Sequence, residues 1–199
     1  MNLEQQLNQS LSRWNLLESE FYQAWSAGTL PVEALSTYAR EYGAFISKIA
    51  DGWSAHGDKV IAAEEREHVE LWRRFARALG TDIGSAKTPA VAELVQVVED
   101  RFSDSVESLG ALYAFEAQQP ATSKSKLEGL RRHYDVDASA ERYFEVHAED
   151  EAEPALLLNR MKALPEADQA RATAACEQTA QALRGALDGL YEGCTASRA

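Results

Sequence analysis

The chain has 199 residues, 45% of them hydrophobic, and 32 acidic against 20 basic side chains give a formal charge of −12. That length suits one domain, spanning 1–199, able to bury most of its apolar surface without cross-links. The charge repels phosphate backbones and anionic lipid, and basic side chains occur singly or in pairs (Arg73 with Arg74, Arg131 with Arg132), which excludes nucleic-acid binding.

No apolar run approaches the roughly 18 residues of a membrane span. The opening MNLEQQLNQS has no basic region followed by an apolar core, so a cytoplasmic location is expected. Cys176 and Cys194 are too few for a disulfide framework or a zinc site and read as reduced spectator thiols.

The hydrophobic spacing is helical almost throughout, with no alternating strand. A first helix is predicted over about 2–27, stopped by Gly28; it carries Trp14, Phe21, Tyr22 and Trp25 at core-packing spacings. TLPVEAL restarts the chain, with Thr29 as cap and Pro31 in the first turn, and the second helix reaches about Ala55. The third covers about 59–79 and ends at Gly80. After the polar connector TDIGSAKTP, a long fourth helix runs from about 90 to 118 and is ended by Pro120. A fifth covers about 122–133, a sixth about 139–162, and a last helix runs from PEADQ to about Tyr191, leaving 192–199 as a frayed tail. About seven helices with short connections predict an all-α bundle in a single domain.

Three of these helices carry groups that bind metals. In AAEEREHVELW, Glu64 and His68 are four apart, which brings their β-carbons roughly 5–6 Å from one another on one face. Glu116 lies among Leu112, Tyr113 and Phe115 in ALYAFEAQQP, and a carboxylate in such surroundings needs a partner. His147 and Glu151 repeat the spacing of four in HAEDEAEP. Bundles assemble dinuclear carboxylate sites from inward Glu and His on facing helices, and mixed oxygen and imidazole ligands suit iron or manganese and dioxygen chemistry. The competing explanation is chance, since Glu–His pairs four apart arise readily on acidic helices. His56 and His133, at a helix end and before a turn, read as structural.

The phrases FYQAW (21–25), EEREHVELWRRFARALG (64–80), ALYAFEAQQP (111–120), SKLEGLRRHY (125–134) and YFEVHAEDEAEP (143–154) resemble, in order, the CADD-like branch of the heme-oxygenase-like diiron family, whose fold is shared by TenA and PqqC proteins. The resemblance implies a heme-oxygenase-like bundle and a diiron or Mn/Fe oxidase using dioxygen and an external electron donor. Its metal ligands would fall on Glu64, His68, Glu116, His147 and Glu151, although the interval between the first two is about one turn shorter here. The family's closing His falls on Pro154, which has no ligand atom. A helix-interior proline costs on the order of 3 kcal/mol unless the helix kinks. A kink would turn Glu149, Glu153 or the carbonyl of Asp150 to the gap.

The branch further implies a self-sacrificing synthesis of 4-aminobenzoate for folate, from Tyr22 with nitrogen from Lys126, and fold analogy suggests a homodimer. Taken from the residues alone, Tyr22 is a core aromatic and Lys126 a solvated helix lysine. The rival expectation is a non-catalytic binding or regulatory relic that kept the bundle and lost its metals.

Overall fold

A computed structural model describes residues 1–196. Among these are eleven α-helices and no strand, the all-α class that the spacing predicts: α1 (Leu3–Arg13), α2 (Glu20–Ser26), α3 (Val32–Ile46), α4 (Ile49–Ala55), α5 (Lys59–Ala78), α6 (Pro89–Phe102), α7 (Ser105–Glu116), α8 (Gln119–His133), α9 (Arg142–His147), α10 (Ala152–Lys162) and α11 (Glu166–Ala196). Short 3₁₀ turns lie at Leu16–Glu18 and Ala138–Ala140.

The element count exceeds the expectation because polar side chains restart helices inside long periodic stretches. Asn15 accepts a hydrogen bond from the Leu17 amide and Ser19 from the Tyr22 amide, splitting the predicted first helix. Asp104 accepts from the amides of Val106 and Glu107 and splits the fourth. Such side chains satisfy the free N–H groups of a new first turn, so a restart competes with continuation. The second divides at Ser47–Lys48; Thr29 does not cap it, and donates instead to the carbonyl of Ala24. Pro120 sits in the first turn of α8 and opens that helix.

Around Pro154 the predicted sixth helix breaks outright, with the gap at residues 148–151. Pro154 is the third residue of α10, where its missing N–H would have no intrahelical partner anyway, so no kink is needed. At the other end α11 continues helically to Ala196 rather than fraying at 192; positions 197–199 lie outside the described residues.

The centre of the bundle is α7. Every residue from Ser108 to Glu116 is buried, which follows from SLGALYAFE being apolar on all sides. The 31-residue α11 packs along it, and at about 1.5 Å per residue reaches roughly 46 Å. The two helices come into backbone contact at Gly110, where an added Cβ would lie 1.8 Å from the carbonyl oxygen of Ala172. No helix among the described residues is long and apolar enough to cross a membrane.

Gly110→Ala therefore tests the α7–α11 seam. The clashing atom is backbone, so overpacking is expected to outweigh the gain in helix propensity and cost about 2 kcal/mol or more, read as a lower urea midpoint with an unchanged slope.

Candidate metal centre

The inner face of α5 is set by Ala62, Trp72, Phe75 and Ala76, all buried. On that stripe Glu65 points inward and is 3% exposed, whereas Glu64 is exposed. His68 follows one turn later, and its Nδ1 lies 2.9 Å from Glu65 Oε1. His147, the last residue of α9, is buried and its ring sits 4.7 Å from that of His68. One ligand atom from each of Glu65, His68 and His147 lies within 4.8 Å of the others.

His147 Nδ1 is 2.7 Å from the carbonyl oxygen of Tyr143. A carbonyl only accepts, so Nδ1 carries the hydrogen and the Nε2 lone pair is left for a cation, the usual outer-shell arrangement of a metal-binding histidine. Burial holds the His147 pKa below the ordinary imidazole value. Burial acts the same way on His68, but Glu65, Glu153 and Glu64 outweigh it and raise its pKa.

Two more carboxyls face this cluster. Glu116, at the end of α7, is 2% exposed, and its Oε1 is buried without a hydrogen-bond partner. Burial, and then the charges of Glu153, Glu65 and Asp150, push its pKa well above the ordinary range. Glu153, in the first turn of α10, is pushed up to about 8 by burial and by Glu65 and Asp150. Among the described residues no lysine or arginine forms an ion pair with Glu65, Glu116 or Glu153. Two raised carboxyls, Glu116 and Glu153, beside buried Glu65 and two imidazoles, with an orphaned oxygen on Glu116, fit a bound cation, and these hard oxygen and nitrogen donors fit iron.

The structure thus groups His68 with His147, sets Glu116 within electrostatic reach of Glu65 beside them, and corrects two other expectations. Glu64 gives way to Glu65, because the α5 stripe through Ala62 and Trp72 passes over 65. Glu151 is exposed and stands just before α10, while Glu153, one residue before Pro154, is half-buried and faces the cluster. Both corrections had a signal in the sequence. Glu65 lies seven residues before Trp72, and Glu153 precedes the buried Leu157 and Met161 at steps of four.

Tyr22 and Lys126 are both buried and adjacent. Lys126 Nζ lies 3.5 Å from Tyr22 Oη, 5.0 Å from the centre of the Tyr22 ring and 5.1 Å from that of Phe144. Lys126 is 4% exposed, which corrects its reading as a solvated lysine. Burial lowers its pKa to about 7. Tyr22 Oη also pairs with Tyr38 Oη at 2.9 Å, and burial raises its pKa. His56 hydrogen-bonds Ser108, and Cys176 is buried with its thiol pushed up to about 12, consistent with structural roles.

Comparison with known proteins agrees with this architecture. A TenA homolog from Pseudomonas syringae pv. tomato superposes with a TM-score of 0.79 at 15% identity, covering 96% of this chain and 93% of that one. A CADD-like protein from Nostoc punctiforme superposes with a TM-score of 0.70 at 17% identity, over 99% and 96%. These likenesses define the fold as heme-oxygenase-like. The profile of the family described as "Iron-containing redox enzyme" matches residues 57–186, and the chain belongs to that family. The 4-aminobenzoate synthase of Chlamydia pneumoniae is 32% identical over 72% of this chain and 73% of its own length.

The raised carboxyls give a signed pH dependence. A folded-state pKa near 8 for Glu153, against 4.5 for a free carboxyl, means the folded, metal-free chain binds the extra proton. Its contribution to stability is present at low pH and lost as pH climbs from the free to the folded value. Metal-free protein is expected to melt at falling temperature over that interval. Ferrous iron should restore the loss, while Glu116→Gln should be more stable than the parent without metal and gain less from iron. Thermal melts across pH, with and without iron, check this.

Proposed function

We propose that the chain is a non-heme iron oxidase that uses dioxygen to form 4-aminobenzoate from its own Tyr22, with Lys126 as the nitrogen source. The observation that carries this reading is the buried contact of Lys126 Nζ with the Tyr22 hydroxyl and ring, on the same inner side of the bundle as the acid and histidine cluster. Iron, held by Glu65, His68 and His147 with Glu116 and Glu153 beside them, would supply redox chemistry with dioxygen, and an external donor would supply electrons; the same donors accept manganese beside iron.

The chain's own side chains prepare the reactants. Burial lowers the Lys126 pKa to about 7, so near neutral pH a large share of molecules holds the amine with its lone pair free. Phe144 packs against the amine and Tyr38 fixes the phenol of Tyr22. Raised by burial, the Tyr22 pKa keeps the ring protonated until it is oxidised. The tautomer fixed by the Tyr143 carbonyl keeps His147 presented to the metal. Pro154 favours the relic reading, but Glu153 one residue earlier offers a replacement oxygen donor, and the orphaned Glu116 oxygen argues that a cation is still intended here.

Intact-mass spectrometry after exposure to ferrous iron, dioxygen and a reductant is expected to show losses mapped to Tyr22 and to the amine nitrogen of Lys126, with 4-aminobenzoate released once per chain. Tyr22→Phe and Lys126→Met should bind the same iron and release none. Product formed with Tyr22 intact would transfer the reaction to a free substrate, and a chain that takes up no iron would restore the relic.

Lys126 also gives a stability test. Its folded pKa lies near 7, below the free value of 10.5, so the unfolded chain binds the extra proton between those values. The penalty for burying the amine is complete below the folded value and fades as pH rises to the free value. Lys126→Met is expected to stabilise the protein near neutrality, with the advantage shrinking toward pH 10.5; chemical denaturation at several pH values measures it.

A further inference from the structure

Beside Glu116 stands Trp53 of α4. That helix lies along α7: Ser108 Oγ donates to the carbonyl of Gly52 at 2.9 Å, and a Cβ added at Gly52 would lie 2.9 Å from Leu112 Cδ2. Ser108 and Leu112 precede Glu116 at steps of four, so one face of α7 carries all three toward α4. Trp53, next to Gly52, is fully buried. Its indole N–H acts as a side-chain donor on the Glu116 carboxyl, opposing burial and the neighbouring acids. Neither group closes a hydrogen bond of normal geometry: Trp53 Nε1 and Glu116 Oε1 are both buried and both without a partner.

Burying an unpaired indole N–H costs stability that an apolar ring would spare. Trp25 Nε1 is orphaned as well, so an unmet donor alone does not single out a residue. What distinguishes Trp53 is the unmet carboxyl oxygen set against it, which a rotation of the Glu116 carboxyl would pair with the indole. The two groups match a carboxylate that binds a cation through one oxygen. Ionised, it has lone pairs on both oxygens, and the oxygen turned away from the ion still needs a donor. An indole N–H only donates, so it can neither ligate a metal nor take up the carboxyl proton, and its neutrality preserves the negative charge that attracts a cation. Among the described residues no lysine or arginine forms an ion pair with Glu116 that would cancel that charge. Outer-shell donors of this kind orient ligating carboxylates.

We propose that Trp53 is a positioning residue of the metal centre, its indole N–H donating to one Glu116 oxygen while the other oxygen faces the cation. The hydrogen bond closes as the carboxyl turns, with no covalent or redox step. It fixes the direction in which Glu116 presents its ligand oxygen and satisfies two buried polar atoms at once. This role depends on a cation binding in the cluster, and is independent of what Tyr22 and Lys126 do.

Four tryptophans give four indole N–H signals in a proton–nitrogen correlation spectrum of the full-length chain, and magnetisation transfer to neighbouring protons of α4 assigns that of Trp53. Zinc, a diamagnetic probe that also takes Glu and His ligands, is titrated in. The Trp53 indole proton is expected to move downfield by more than the other three, and Glu116→Ala should abolish the movement. Ferrous iron affinity is expected to fall about 10-fold to 100-fold in Trp53→Phe. Adding Trp53→Phe to Glu116→Ala should cost little further affinity, because the acceptor is already gone. A tryptophan that only fills space would lower the melting temperature on substitution without this coupling. The zinc titration of the parent chain decides the matter even if Trp53→Phe folds poorly. A Trp53 signal that stays in place while zinc binds, parental iron affinity in folded Trp53→Phe, or losses that multiply in the double variant would each overturn the role. A chain that binds neither zinc nor iron loses the cation site and this role together, whereas uptake with an unmoved Trp53 signal loses the role alone.

Discussion

Buried Glu65 and Glu116 and half-buried Glu153 influence one another's charge beside two imidazoles, and among the described residues none of them pairs with a lysine or arginine. Withdrawing one ionised carboxyl from water costs several kcal/mol, and neighbours of the same sign add to that cost. Glu116 and Glu153 are therefore held toward their protonated forms unless a cation lies among them. That restriction is visible in the raised pKa of Glu116 and Glu153 and in the unsatisfied oxygen of Glu116. An apolar side chain at each place would make a more stable bundle, so the arrangement spends stability on holding a charge.

The remaining architecture makes that concentration of charge possible. Because α7 is apolar on all sides it can run through the centre and end there, delivering Glu116 to the interior at its last turn. Close contact with α11 at Gly110 holds it in place. The break at residues 148–151 lets α9 end on His147 and α10 begin with Glu153 in its first turn, so two short helices aim donors from separate directions. A continuous helix would have fixed both on one rod. Pro154, which removes the donor expected at its own position, helps to start the helix that supplies another.

Tyr22 and Lys126 belong to the same economy of burial. An amine with no carboxylate beside it is driven toward its neutral form, and a phenol against it stays protonated. Both protonation states follow chiefly from the exclusion of water. Aromatic rings in contact run from Tyr22 to His147, so the core that stabilises the fold also lies between this pair and the cluster of acids.

Much of this was legible from residue order. Helical period, the all-round apolar character of SLGALYAFE and the phrases shared with a known family determined the all-α class, the central place of Glu116 and the pairing of a histidine-bearing α5 with HAEDEAEP. The helix breaks were harder to read, because Asn15, Ser19 and Asp104 fit an exposed helix face as readily as a cap. Only tertiary structure decided that Glu65 and not Glu64, and Glu153 and not Glu151, turn inward, and that Lys126 is buried. For Glu65 the reason is geometric: in a helix of 3.6 residues per turn, positions three and four before His68 share nearly the same face. The rotation of each helix about its axis, which chooses between them, is set by what packs against it. Glu153 instead follows from the break at 148–151, which starts a new helix.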